Sequence, residues 1–298
     1  MLHKLMVGTL PLIPRPVMRR IAGKYIAGET QAEALAKLQE LSAAGFSGVY
    51  DILGEGSVDE AHARDAARDY RAGATAIAAA GLDTYVSVKP THLGLTTDEG
   101  MALELYREIA RHCADIGVFL RVEMEDHPTT DATLRIYEAL RTEFETVGVV
   151  LQARLFRTPE DIDALAPGPI DIRLVKGIYL EPAEIAHTNH DAIRQAYVTQ
   201  ARQLLERGDV QLRLATHDDA MARELIQLLR EFDVPKDRYE FQVLLGVQEP
   251  LWAKWREGGH PVRVYVPFGP EWLPYSLRRL RKNPEILRHV VRATLRLG

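Results

Sequence analysis

Two arginines stand side by side in EWLPYSLRRLRKNP, residues 271–284, with an aromatic three and four positions before them. On a helix turning about 100° per residue, Tyr275 shares a face with Arg278 and Arg279. Each guanidinium is a planar fork of donors that matches a carboxylate or a phosphate. Pro274 falls in the first helical turn, where its missing N–H costs nothing. The segment can therefore present a ring edge and two cationic forks to an anion, although an arginine run taken alone is more often a solvated face.

Other chemistry-bearing residues fall at the ends of short apolar runs. Lys89 reads as a carboxylate anchor, a Schiff-base amine or a snorkelling cation. Glu123 and Glu125 are expected on one strand face, because side chains alternate. With Asp126 and His127 they have the makings of a metal site, but Pro128 follows His127 at once and no second histidine stands at ligand spacing, so no metal is expected. Asp218 precedes a helical pattern and reads as an N-cap beside His217. Arg173 and Lys176 share the run DIRLVKG, and burying either unpaired would be prohibitive. Taken with Lys89, Arg278 and Arg279 they make one mouth cationic, and a carboxylate-bearing or polyanionic ligand is expected.

The elements that must position these residues recur regularly. Eight β-rich runs, SGVYDIL, DTYVSVK, VFLRVEM, VGVVLQA, DIRLVKG, VQLRLAT, YEFQVLL and VRVYVPF, alternate with helix-period stretches such as HDDAMARELIQLLREF. Such alternation predicts a parallel sheet with crossover helices, and eight units predict closure into a (β/α)₈ TIM-like barrel with its chemistry at the strand ends. Lys89, Glu123, Gln152, Arg173 and His217 all fall at such ends, and Tyr265 lies in the eighth strand. An open doubly wound sheet is the rival, but no strand leads into G-x-G-x-x-G. One domain is expected over 1–298, with an N-terminal helical extension at 1–45 and a final helical segment at 271–298.

The chain of 298 residues is 46% hydrophobic and 27% charged with a net charge of −5, which fits a globular protein without a nucleic-acid partner. Its single cysteine, Cys113, suits a reducing compartment. No run of about 18 apolar residues predicts a membrane span, and the start of the chain is read as retained, so a cytoplasmic location is expected. From Arg278 onward seven Arg or Lys face one Glu, an excess suited to a helix end or to peripheral contact with anionic lipid.

Five motifs carry a resemblance: YDILGE (50–55), RLVKGIYLEP (173–182), ATHD (215–218), FQVLLGV (241–247) and EWLPYSLRRL (271–280). Together, and in this order, they resemble the flavin-dependent proline dehydrogenases in their short monofunctional bacterial form. The resemblance implies a distorted (β/α)₈ barrel that binds FAD non-covalently and oxidises L-proline to Δ1-pyrroline-5-carboxylate. It implies a substrate-carboxylate clamp of Arg278, Arg279 and Lys89, a proline-ring lining of Tyr265, Tyr275 and Leu244, and a catalytic carboxylate at Glu123. Arg173 falls where the family places a side chain beside flavin N5. Gln152, Val175, Gly177, Thr216 and His217 fall along its FAD site, and Glu55 falls where relatives carry a gate residue paired to the first arginine of the clamp. Membrane quinone is the implied electron acceptor, and coupling to a pyrroline-5-carboxylate dehydrogenase is an implied partnership. Three positions depart from the family pattern: Glu123 stands for the usual Asp, Ile178 for a frequent Ala, and Lys282 for a common Glu. On the residues alone, a Schiff-base aldolase using Lys89 or Lys176 and a non-enzymatic ligand-binding barrel remain alternatives.

Overall fold

The computed structural model describes residues 18, 19, 22–54 and 56–282, with the side chains of 278–282 outside that description. Its strands are β1 (Ser47–Ile52), β2 (Thr84–Val88), β3 (Leu120–Val122), β4 (Val147–Gln152), β5 (Ile170–Val175), β6 (Val210–Ala215), β7 (Tyr239–Leu244) and β8 (Val262–Phe268). They pair in parallel and in sequence order, and β8 returns to β1 to close the barrel. The eight expected runs are thus the eight strands.

Helices cover the outside. They are α1 (Gln31–Ala43), α2 (Glu60–Ala79), α3 (Glu99–Asp115), α4 (Thr130–Arg141), α5 (Thr158–Ala164), α6 (His190–Arg207), α7 (Asp219–Glu231), α8 (Glu249–Glu257) and α9 (Trp272–Lys282). Local chemistry starts many of them. Thr30 and Glu33 form a reciprocal capping box, and Asp59, Asp98, Asn189 and Asp218 each accept backbone N–H groups of the first turn. The interior face of α7 buries Met221, Ala222, Leu225, Leu228 and Leu229 at helical spacing, where each leucine contributes about 2 kcal/mol of burial. Gly73 lets α2 lie close on the sheet, because a Cβ there would come within 2.5 Å of the Tyr50 ring. Among the described residues no helix is long and apolar enough to cross a membrane.

The strands divide their side chains by face. Ile170, Ile172 and Leu174 of β5 join the apolar core beneath the helices, while Asp171 and Arg173 alternate with them and bond to side chains of other strands. The same division holds for Arg263 in β8 and for Glu240 and Gln242 in β7. Contacts among β2, β3, β5 and β7 at once can only run across the lumen. The barrel interior is therefore a network of charges and amides, where the fold more often packs branched aliphatics.

Candidate active site

At the C-terminal pole Lys89 follows β2 directly, and its Nζ sits 2.5 Å from Asp51 Oδ1 of β1. Asp51 is 1% exposed and the Lys89 side chain 12%. Tyr106 of α3 donates to Val88 C=O at 2.7 Å, fixing the strand end from which Lys89 leaves. Burial alone would lower the lysine, but the Asp51 carboxylate holds it well above the ordinary range. The ammonium is thus a fixed cation, which suits carboxylate binding and opposes the unprotonated amine a Schiff base requires. Lys176, the other Schiff-base candidate, is paired with Asp218 at 2.8 Å.

One tier below, Arg173 of β5 ion-pairs with Glu123, donates from Nη2 to Tyr85 Oη at 2.9 Å and from Nε to Gln242 Oε1 at 2.6 Å. Ser87 also donates to Glu123, and Tyr265 Oη donates to it at 3.1 Å. Burial opposes the charge on Glu123, yet the Arg173 guanidinium holds its carboxyl below the usual range. Arg173 itself is raised, with Glu123 overcoming burial. The Tyr265 phenol is raised by burial and by the Asp51 and Glu123 charges, so it stays protonated. These are permanent charges and donors with fixed directions.

The β4, β5 and β6 ends form the neighbouring wall. Gln152 is 2% exposed; its Nε2 donates to Glu125 C=O at 2.7 Å, while its Oε1 has no hydrogen-bond partner among the described residues. Gly177 has φ +94°, and a Cβ there would meet Arg154 Cδ at 2.5 Å and Gln152 Oε1 at 3.0 Å. Thr216 is buried, its N–H donating to Gln242 C=O and its Oγ1 accepting from Asp218 N–H. Leu244 N–H donates to His217 Nε2 at 3.0 Å, which leaves the ring proton on Nδ1. Val175 is half-buried beside them. Asp218 is the N-cap of α7 as expected, accepting from Met221 N–H.

A family model for proline dehydrogenase matches residues 34–292. The chain belongs to the proline dehydrogenase family. It is 34% identical to the proline dehydrogenase of Deinococcus radiodurans over 292 residues, covering 95% of this chain and 93% of that one. It is 32% identical to proline dehydrogenase 1 of Bacillus subtilis subsp. natto, over 92% of this chain and 91% of the relative. Among solved structures, proline utilization A from Bdellovibrio bacteriovorus inactivated by N-propargylglycine superposes with a TM-score of 0.81 at 26% identity, covering 87% of this chain and 32% of that longer chain.

For a proline dehydrogenase, the β4–β6 wall passes a test of fit for a flavin. It offers an orphaned buried acceptor on Gln152, which a polar ring system carrying an N–H can satisfy. Other expectations fare differently. Tyr275 lies on α9, near Tyr265, whereas Arg278 and Arg279 belong to α9 with side chains outside the described residues. Glu55, Arg288, Arg292 and Arg296 also lie outside them. The single strand face expected for Glu123 and Glu125 is not formed. β3 ends at Val122, and Glu125 instead accepts from Thr91 N–H and Oγ1 at 2.8 and 2.7 Å. His127 pairs with Glu181 at 2.6 Å.

The loop after β1, which carries the gate position, is tied on its far side. Gly56 N–H donates to Thr91 Oγ1 at 3.1 Å, and Ser57 bonds Thr91 C=O and, at 2.5 Å, His92 C=O. Sequence reasoning missed Asp51, Tyr85, Ser87 and Gln242. The available signal was strand alternation, since Asp51, Ser87 and Gln242 each sit between apolar or aromatic neighbours within their strands and Tyr85 is two positions before Ser87.

Proposed function

We propose that this chain oxidises L-proline to Δ1-pyrroline-5-carboxylate with FAD as non-covalent cofactor, and that the electrons pass on to membrane quinone. The observation that carries the reading is the family match over nearly the whole chain, joined to a fixed cationic set at the strand ends. Gln152, Val175, Gly177, Thr216, His217 and Arg173 would hold the FAD. The chemistry FAD supplies when bound is acceptance of a hydride, leaving the protein to bind, orient and exclude water.

Lys89, with Arg278 and Arg279 from α9, holds the substrate carboxylate. A clamped carboxylate fixes the ring in one pose and replaces a chance encounter with a positioned one. Tyr265, Tyr275 and Leu244 bound the apolar part of the ring. Oxidation removes a hydride from the carbon beside the ring nitrogen and a proton from that nitrogen, forming the C=N bond of the product. Glu123 keeps Arg173 and Tyr265 in place, and the unchanging charge on Arg173 favours an electron-rich reduced cofactor. Glu55 closes the entrance by pairing with Arg278, and the basic C-terminal segment docks on anionic lipid, where the quinone resides. The product is an electrophilic imine, which suits hand-over to a pyrroline-5-carboxylate dehydrogenase.

The purified chain should be yellow and should bleach on anaerobic addition of L-proline. A soluble quinone analogue should restore the colour and NAD should not. A colourless protein that binds no added FAD, or a flavin spectrum indifferent to proline, would refute the assignment.

A further inference from the structure

The segment that follows β3 touches both halves of the site through one residue. Glu125 is 4% exposed, and its carboxylate accepts from Thr91 N–H at 2.8 Å and from Thr91 Oγ1 at 2.7 Å. Its backbone C=O accepts from Gln152 Nε2 at 2.7 Å. The carboxylate contacts lie on the substrate side. Thr91 belongs to the 3₁₀ turn Pro90–Leu93, whose N-cap is Lys89, and His92 N–H closes that turn by donating to Lys89 C=O at 3.1 Å. The carbonyl contact lies on the cofactor side. With its amide nitrogen committed to Glu125, Gln152 turns Oε1 toward Gly177, and that oxygen has no hydrogen-bond partner among the described residues.

Thr91 extends the bracket to the loop after β1. Its Oγ1 accepts from Gly56 N–H at 3.1 Å and its C=O from Ser57 N–H at 2.9 Å. The directions in this chain are forced. An ionised carboxylate can only accept, so both Thr91 donors must face Glu125, and the hydroxyl then meets Gly56 with a lone pair. A side-chain amide at 125 could present a donor or an acceptor at either position, and would dictate neither. Burying a carboxylate is costly, but bonds to a charged acceptor are stronger than neutral ones.

Given the proline oxidation proposed above, on which this inference rests, we propose that Glu125 is a positioning residue for that reaction. It sets the registry between the Lys89 turn, which grips the substrate carboxylate, and the Gln152 wall, which faces the cofactor. Lys89 keeps its Asp51 partner when Glu125 is changed, so capture of the carboxylate survives. What changes is the placement of the bound ring against the cofactor, and an error of about 1 Å in such placement can cost about a hundredfold in rate.

Three variants test this in the full chain. Thr91→Val keeps the side-chain shape and the N–H bond to Glu125 but deletes the hydroxyl, Thr91→Ser restores the hydroxyl, and Glu125→Gln replaces one acceptor by a donor. In anaerobic stopped-flow with FAD bound, Thr91→Val and Glu125→Gln should each lower the limiting rate of flavin reduction by L-proline at least tenfold, with the Kd of L-proline within about threefold of the parent. Thr91→Ser should recover most of the rate. A role in folding alone would lower Tm and leave the limiting rate per bound flavin unchanged. A smaller fall in rate, an equal weakening of L-proline binding, or a Thr91→Ser variant as slow as Thr91→Val overturns the proposal. Hydrogen exchange on the flavin-free chain reads the bracket without turnover: Glu125→Gln should speed exchange of the Thr91 and Gly56 amides at least tenfold and leave the amides of β6 unchanged. Unchanged exchange at Thr91 and Gly56 also overturns the proposal. A parent flavin that L-proline does not reduce would instead refute the functional reading, and the exchange experiment would still decide whether Glu125 holds the turn.

Discussion

Removing the negative half of the Asp51–Lys89 pair tests whether the substrate cation is held by the fold. At 2.5 Å and an effective dielectric of about 20, the attraction is about 7 kcal/mol before desolvation offsets part of it. Truncating one partner of a buried pair typically costs about 3–5 kcal/mol, since the other charge is left stranded. With an unfolding entropy of about 2.1 cal/mol/K per residue, a chain of 298 residues loses about 0.6 kcal/mol per degree. Asp51→Asn should therefore lower Tm by about 5–8 °C. It should also raise KM for L-proline, because the freed Lys89 no longer points at the substrate. Lys89→Met should show a matching loss with a diagnostic pH dependence. Burial already pushes the Asp51 carboxyl up, and Lys89 is the group that counters it, so without the lysine its folded-state value rises further above the unfolded one. That stability is present at low pH and is lost as pH rises through the folded value, so the variant should be closer to the parent at pH 5 than at pH 8. The double variant Asp51→Asn/Lys89→Met removes both charges and should recover much of the loss. Additive losses in Tm, with no coupling between the two sites, would refute the reasoning.

Gly177→Ala should fold but retain FAD at least tenfold more weakly in a fluorescence titration, because φ +94° and the Arg154 and Gln152 contacts leave no room for a methyl group; unchanged retention would remove Gly177 from the cofactor wall. Arg173→Gln should make the bound flavin harder to reduce, and a midpoint potential equal to that of the parent would contradict a role for its charge. His92 is buried against Tyr70 and His62 and near Lys89, and burial, then the Lys89 charge, lowers it from 6.5 to about 4. Its folded value lies below the unfolded one, so the stability it contributes is full above pH 6.5 and is lost as pH falls toward 4. At about 1.4 kcal/mol per pH unit the loss is at most about 3 kcal/mol, and His92→Asn should flatten the acid limb of a denaturation curve.

The fold was legible because its signal is local. Strand runs, helix periods and caps such as Asp218 are read within a dozen residues, and each lies where the pattern predicts. The candidate cations Lys89 and Arg173 were legible as strand-end charges that need partners. Their partners were not. Arg173 reaches Tyr85 across 88 positions and Gln242 across 69, and nothing in a strand's alternation says which of several inward polar residues it will meet once the barrel closes. Glu125 shows the converse error. Alternation was extended three residues too far, past Val122, where the chain leaves the strand and the 3₁₀ turn at Pro90–Leu93 offers Thr91 as a donor.

The inward charges also explain why the site keeps one orientation. Glu240, when ionised, can only accept hydrogen bonds. Arg263 and the Gln242 amide both donate to it, so Gln242 must turn its NH₂ toward Glu240 and Tyr85 and its oxygen toward Arg173. A Gln242 amide flipped the other way would set two oxygens against each other at 240 and two donors against each other at 173. The lower tier thereby fixes the direction of Arg173 without touching the substrate pole. Replacing such charges by apolar residues of equal volume often leaves a protein as stable or more so. Their value here lies in direction: a packed aliphatic floor would hold the strands equally well but would give Arg173 no acceptor at Nε.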